Sequence, residues 1–327
     1  MIIKFIPIIP HDTKIDFFGH RFYAFFASLV ILGGATFCLA TKGLNFGVDF
    51  VGGTIMEIQT KTMPDLPHLR EILHDLELGE VSIQEFGAPD NLMIRMRQQD
   101  GEAEAEKSAV PGEITPQQAA IQRVQNALDK EFGAGNVDYR RTEFVGPQVG
   151  KELKRDGLMA IIISMVCIGA YIWFRFNWQY GVGAMLALLH DVMGILGLFS
   201  LTQMHFDLST LAAILLVAGY SINETIIIFD RVRETLRKFK KMPMQDVINY
   251  SINSTLPRTL MTSGSTLLAL LALYLFGGEV IRSFVSALFL GILIGTHSSY
   301  FVSSISLYYL KLRAGPDKPG EIAGEAA

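Results

Sequence analysis

Hydrophobic positions along this chain fall into six long, nearly unbroken runs, roughly 22–40, 157–174, 180–201, 208–229, 258–276 and 283–310. At 1.5 Å per helical residue, each run is long enough to cross about 30 Å of hydrocarbon. The pattern predicts six transmembrane helices. Between the first and second runs the periodicity changes to that of a soluble domain. VDFVGGTIMEIQT (48–60) predicts a strand. Within 66–78, Leu69, Ile72, Leu73 and Leu76 have helical spacing. VSIQEFG and NLMIRMRQ predict two short strands around an Ala88-Pro89-Asp90 turn. Residues 114–132 predict a helix with Thr115 as N-cap and Pro116 at its first position. NVDYRRTEFVG predicts a closing strand. The order βαββαβ predicts a ferredoxin-like α+β domain. The acidic stretch 98–113 inside it is expected to be a disordered insertion.

The expected organisation is an N-terminal arm (1–21), helix 1 (22–41), an α+β domain (42–155), a five-helix bundle (156–310) with a basic link at 230–257, and a tail (311–327). Composition agrees: of 327 residues, 50% are hydrophobic and 18% charged, a balance that favours a polytopic protein in a lipid bilayer over a soluble one. A net charge of −4 adds little, and no nucleic-acid partner is expected. The first run lacks a small-residue cleavage site and more spans follow, so it reads as an anchor. Cys38 and Cys167 lie in apolar runs and read as small buried hydrophobes rather than a disulfide.

Positive charge sets the expected orientation. Arg231, Arg233, Arg237, Lys238, Lys240 and Lys241 follow the fourth run. Lys4, Lys14 and Arg21 in the arm, Arg175 between the second and third runs, and Lys311, Arg313 and Lys318 in the tail fall on the same side. That side is expected to be cytoplasmic, with both termini there and the soluble domain outside. Lys151, Lys154 and Arg155 disagree, but long translocated domains weigh less in this rule.

Ionisable groups inside the runs are the candidate chemistry, because a charge at a helix centre costs roughly 2.5–3.5 kcal/mol and normally marks an ion or proton pathway. The third run carries His190-Asp191 and the fourth Asn223-Glu224. The fifth opens on Arg258, and Arg258, Thr262 and Thr266 share one helical face, with Thr259 and Ser263 nearby. An arginine on that face can neutralise Glu224 across a bundle, leaving a carboxyl able to exchange protons as helices shift. The alternatives are a static Glu224–Arg258 ion pair, His190-Asp191 as interhelical glue, and a Thr/Ser run that only back-bonds to its own helix. Asp230-Arg231 reads as a helix-end ion pair. Gly291-xxx-Gly295-xxx-Ser299 reads as close helix contact. In the soluble domain, Asp49 with Gly52-Gly53 reads as the start of a strand needing glycine's freedom rather than an anion nest. His68 and His74 are six apart and not at a metal spacing, so a solvated face is expected and no metal. No HExxH, GxSG-like or Walker A element occurs, so no enzyme activity is expected.

Seven blocks in order, GVDFVGGT (47–54), VGPQVGKEL (145–153), HDV (190–192), AGYSINETIIIFDRVRE (218–234), STLPRTLMTS (254–263), LFGGEVI (275–281) and GTHSSYF (295–301), resemble the SecF family. SecF subunits belong to the resistance-nodulation-division superfamily and to the bacterial protein-export machinery of the inner membrane. The resemblance implies a SecD partner related by a pseudo-twofold, the SecYEG channel, YajC, the SecA motor indirectly, and unfolded preprotein as substrate. It implies no cofactor beyond protons as coupling ion, which drive preprotein movement and release. It places the family's membrane acid on Glu224 after Asn223, and the family's arginine on Arg258, with His190 and Asp191 as relay or packing partners. The family's usual acid is Asp; Glu here moves the carboxyl by about one methylene. Asp49, Phe50, Gly52, Gly53, Gly219, Gly277 and Gly278 fall in its structural motifs. Two rival readings are a passive scaffold for SecD and the channel, and half of a small-molecule exporter of the same superfamily.

Overall fold

The computed structural model describes residues 13–312, apart from 77, 80, 87, 98–115 and 279–280. The expected insertion, the Thr115 cap, the start of the arm and most of the tail lie outside the described residues. Six helices are long and apolar enough to cross a membrane. They are α1 (Arg21–Thr41), α5 (Pro147–Arg175), α6 (Trp178–Thr202), α7 (Leu208–Lys238), α8 (Met244–Phe276) and a sixth built from α9 (Arg282–His297), a π-helical turn (Ser298–Ser303) and α10 (Ser304–Tyr309). The soluble part contains α2 (Val48–Val51), β1 (Gly53–Thr60), α3 (Leu66–His74), β2 (Val81–Phe86), β3 (Ala88–Arg97), α4 (Pro116–Phe132) and β4 (Val137–Val145).

The six apolar runs became six helices long and apolar enough to span, but several expectations change. The basic link at 230–257 is mostly helix: α7 continues to Lys238 and α8 starts at Met244, so only 239–243 connects them. Hydropathy marks where a helix leaves hydrocarbon, not where its hydrogen bonding ends. Cys167 is exposed on the outer face of α5 rather than buried within this chain. Arg231 pairs with Glu234 at 2.6 Å and donates to Ser254, not to Asp230.

The four strands form one sheet in the order β2-β3-β1-β4, every neighbouring pair antiparallel. Met56 and Ile58 of β1, Leu92, Ile94 and Met96 of β3, and Ile83 of β2 point to one face. There they pack on Leu69 and Leu73 of α3 and on Val124 and Leu128 of α4. Ala88, Pro89 and Asp90 belong to β3 rather than to a turn, and Asp90 accepts from Gln59 at 2.7 Å. His68 sits on the outer face of α3 and reaches Glu131 of α4 at 3.4 Å.

The expected strand at 48–60 starts later. Val48–Val51 is a helical turn, Gly52 at φ +89° ends it, and Gly53 at φ +146° begins β1. This supports glycine freedom over an anion nest. Asp49 Oδ2 instead accepts from Leu208 N at 3.0 Å, joining Asp207 at the start of α7. Phe50 is buried among Phe199, Phe206, Ile161 and Ile214, while Gly47 N donates to Phe206 O at 2.8 Å. The motif is therefore a joint fixing the sheet domain to the α6–α7 corner. Lys154 lies 3.7 Å over the Phe46 ring at the same joint. That contact gives one of the dissenting basic residues a packing role.

Before α1 the chain is stapled to the part of α8 beyond the apolar span. Asn253 Oδ1 accepts from Ile15 N at 2.9 Å and its Nδ2 donates to Ile15 O at 2.8 Å. Asn249 accepts from Phe18 N and donates to Asp16, both at 2.8 Å, while Phe17 and Phe18 are buried. The Gly19 N–H and then the Asn249 amide hold the Asp16 carboxyl below its usual range. A carboxylate lowered in this way supports docking at neutral pH, and its support is lost as pH falls through the lowered value. Asn253→Ala removes both bonds to Ile15 and strands its backbone groups, at a cost of about 1–3 kcal/mol. Limited proteolysis should then cut the arm near residues 13–20 faster than in the unsubstituted chain; equal cutting would sink this account of the arm.

Candidate functional site

Small and polar side chains on facing helices build a buried seam through the middle of the bundle. α9 approaches α7 closely because Gly291 faces Val217 and Gly295 faces Ser221; a Cβ at Gly295 would stand 3.1 Å from Ser221 Cβ. The small-residue spacing on the last span is thus a helix contact, as its sequence suggests. The close approach brings the polar groups of α6, α7 and the π turn together.

Glu224 is 2% exposed. Its Oε1 accepts a hydrogen bond from Ser263 of α8, and Thr296 of α9 also faces the carboxyl. Its Oε2 is buried with no hydrogen-bond partner. Ser263 is in turn held by Tyr220 OH at 3.2 Å, one turn before Glu224 on α7. Asp191 is 1% exposed. It accepts from Ser221 at 2.6 Å through Oδ2, and its Oδ1 lies 3.3 Å from His190 Nδ1. His190 stands beside His297, ring centroids 5.9 Å apart, and His297 Nε2 meets Ser28 of α1 at 3.1 Å. Thr225 and Ser299 bond at 2.9 Å, closing the seam between α7 and the π turn. π turns recur at functional sites because the extra residue redirects side chains that a regular helix would aim elsewhere.

Glu224, Asp191 and His190 therefore come together, and Arg258 does not join them. Among the described residues no ion pair joins Glu224 to a cation. Arg258 is exposed at a cleft with Asp230, Arg231 and Glu234. The face of α8 turned to Glu224 is Thr259–Ser263, whereas Arg258 and Thr262 point outward. One residue on a helix is about 100° of rotation, so an expectation anchored on the arginine selected the wrong stripe. Thr262 and Thr266 back-bond to Arg258 O and Thr262 O at 3.1 and 2.9 Å, the blander role expected for the run. Asn223 is exposed on α7, and Gly219, one turn before it, has nothing within 4 Å of a would-be Cβ. Gly277 and Gly278 end α8; a Cβ at Gly277 would stand 2.4 Å from Leu273 O, and Gly278 has φ +77°. Sequence reasoning assigned no role to His297, Ser221, Thr225 or Ser28. The only signal for His297 was its place in the GTHSSYF block.

The family description "Protein export membrane protein SecD/SecF, C-terminal" matches residues 124–313, and "SecD/SecF GG Motif" matches residues 39–62. The curated relative "Protein translocase subunit SecF" of Rickettsia bellii is 40% identical over 299 residues, covering 91% of this chain and 94% of that protein. Its counterpart in Cereibacter sphaeroides is 40% identical over 329 residues, covering 98% of both. The crystal structure of SecDF, a translocon-associated membrane protein from Thermus thermophilus, superposes with a TM-score of 0.75 at 32% identity. It matches 94% of this chain, which spans 40% of the longer SecDF chain.

Proposed function

The chain belongs to the SecD/SecF family of protein-export membrane proteins, alongside its SecF members, and from that premise we propose that it is a proton-coupled auxiliary subunit of the Sec translocon. It pairs with SecD, works beside SecYEG and YajC after SecA, and promotes preprotein movement and release on the periplasmic side. It lies in the bacterial inner membrane with both termini cytoplasmic and the ferredoxin-like domain periplasmic. It catalyses no covalent reaction, and protons, not a bound cofactor, are what it couples.

The observation that carries this reading is the Glu224 carboxyl: buried in a membrane helix, donated to by Ser263 on one oxygen and unpartnered on the other. With its proton the group is neutral and tolerates the site. Without it, a buried charge faces hydroxyl donors only, and the helices around it must rearrange. Each charge crossing the potential supplies about 2.3 kcal/mol per 100 mV. α7 can carry that rearrangement outward, because its first turn is held by Asp49 and its flank by Phe50 of the joint to the sheet domain.

The SecD partner is supported by what faces away from the bundle. Asn223, Arg258 and Thr262 are exposed on α7 and α8, and polar groups at membrane depth normally face protein or a wet path. A second six-helix half covering them would bring Arg258 into a shared interior. The test is export of a periplasmic reporter in cells with and without this chain, before and after a protonophore collapses the gradient while ATP is maintained. The chain should speed export only while the gradient stands. An equal gain without the gradient would leave the scaffold reading, or the exporter reading if SecD also fails to co-purify.

A further inference from the structure

Three polar atoms beside the Ser263–Glu224 bond have no hydrogen-bond partner: Glu224 Oε2, Thr259 Oγ1 and Tyr300 OH. Their residues are 2%, 1% and 6% exposed and come from α7, α8 and the π turn. Thr259 lies one helical turn before Ser263, on the face already turned to the carboxyl. The Tyr300 hydroxyl lies beside Thr259, with Glu224 and Tyr220 within electrostatic reach. The two hydroxyls are neighbours, yet they do not meet hydrogen-bond geometry with each other.

A buried polar group left unsatisfied costs about 1–3 kcal/mol, whereas an apolar group of the same shape there is nearly neutral. Two such hydroxyls in the region of a carboxyl oxygen that also lacks a partner point to a polar guest. An internal water needs two to four polar partners. This set offers two hydroxyls, each able to donate or accept, and a carboxyl oxygen. We propose that Glu224 Oε2, Thr259 Oγ1 and Tyr300 OH bind a single internal water, through which protons reach and leave Glu224.

Thr259 and Tyr300 are then positioning residues: they hold the water, and the water exchanges the proton. The proton balance is simple. The water donates one proton to Oε2 while accepting one from the Tyr300 or Thr259 hydroxyl that holds it, or runs the reverse, so no bond other than O–H changes. The titratable groups facing this region are Tyr220 on α7, Asp191 and His190 on α6, and His297 on α9. The relay role rests on Glu224 carrying the coupled proton; the water site does not.

The test separates the two. Infrared difference spectra between acidic and basic pH would be recorded on the full chain with its partner in lipid nanodiscs, in ordinary water and in water labelled with oxygen-18. The unsubstituted protein should show an O–H band that moves with the label. A Thr259→Val, Tyr300→Phe double variant should lose that band and move the protonated carboxyl C=O band to higher wavenumber. A band that persists in the double variant, or contacts short enough for a metal ion in a high-resolution map, overturns the water site. Tyr300→Phe keeps the ring that packs 5.7 Å from Phe17, so its membrane abundance should hold. Its reporter export should fall roughly tenfold, the effect of losing about 1.4 kcal/mol, with an altered pH profile. An O–H band lost with export and pH profile unchanged overturns the relay. Unchanged export in Glu224→Gln defeats the proton reading itself, while the infrared result still decides the water.

Discussion

Cells whose only copy carries Glu224→Gln should export a periplasmic reporter no faster than cells lacking the chain, at unchanged membrane abundance of the protein. The substitution removes one property and keeps the others. Glutamine has the shape of glutamate, and its carbonyl oxygen still accepts from Ser263. Its NH2 replaces an oxygen that has no partner, so no side-chain hydrogen bond of the buried site is lost. What it cannot do is release a proton. Any loss of export at normal abundance therefore reads as loss of titration and not of packing. Glu224→Asp keeps the titration and draws the carboxyl back by one methylene, which stretches the Ser263 bond. Its export should be intermediate. Normal export in Glu224→Gln would make Glu224 a structural acid and the chain a scaffold. Failure of both variants alike would point to geometry rather than to the proton.

The spans and the sheet domain were legible in the sequence because hydrophobic length and periodicity are local properties. The βαββαβ succession was readable in its order along the chain, and the role of Gly52-Gly53 from the backbone freedom that the start of β1 requires. The site was legible only in part. Glu224, His190 and Asp191 stand out as charges in apolar runs, and the structure buries all three together. Their partners Ser221 and Ser263, like the Thr225–Ser299 pair beside them, are small hydroxyls that cost little in a membrane helix and carry no period of their own. Arg258 was the conspicuous partner, and its charge drew the expected face of α8 one residue away from Thr259–Ser263. The staple of Ile15 and Phe18 onto Asn249 and Asn253 joins segments more than 200 residues apart. Nothing local in either segment announces that contact. Likewise the joint between Asp49-Phe50 and the start of α7 is visible only once residues 47–50 and 206–208 are brought together by the fold.

Gly53→Ala should be the most damaging single methyl in the soluble domain. At φ +146° the backbone is in a region that residues with a Cβ rarely adopt, and the added atom would stand 2.2 Å from Met96 O. That oxygen is backbone in β3, the strand paired with β1 from Gly53 to Gln59, so it cannot swing aside without opening the ladder. Strained φ contributes about 1–3 kcal/mol and overpacking a similar amount. Together they are a large share of the roughly 5–15 kcal/mol that holds a domain folded. The damage would spread, because Gly53 follows directly on the Phe50 joint that ties the sheet to α6 and α7. Gly43→Ala isolates the conformational part: Gly43 has φ +69° but nothing within 4 Å of its would-be Cβ. It should cost only about 1–2 kcal/mol. Thermal unfolding of the purified chains and protease resistance of the sheet domain would rank the two. Gly43→Ala should melt slightly early, whereas Gly53→Ala should leave β1 and β3 open to cleavage at growth temperature. Equal behaviour of the two variants would mean that β3 yields to the methyl, and that the second glycine is there for its dihedral angle alone.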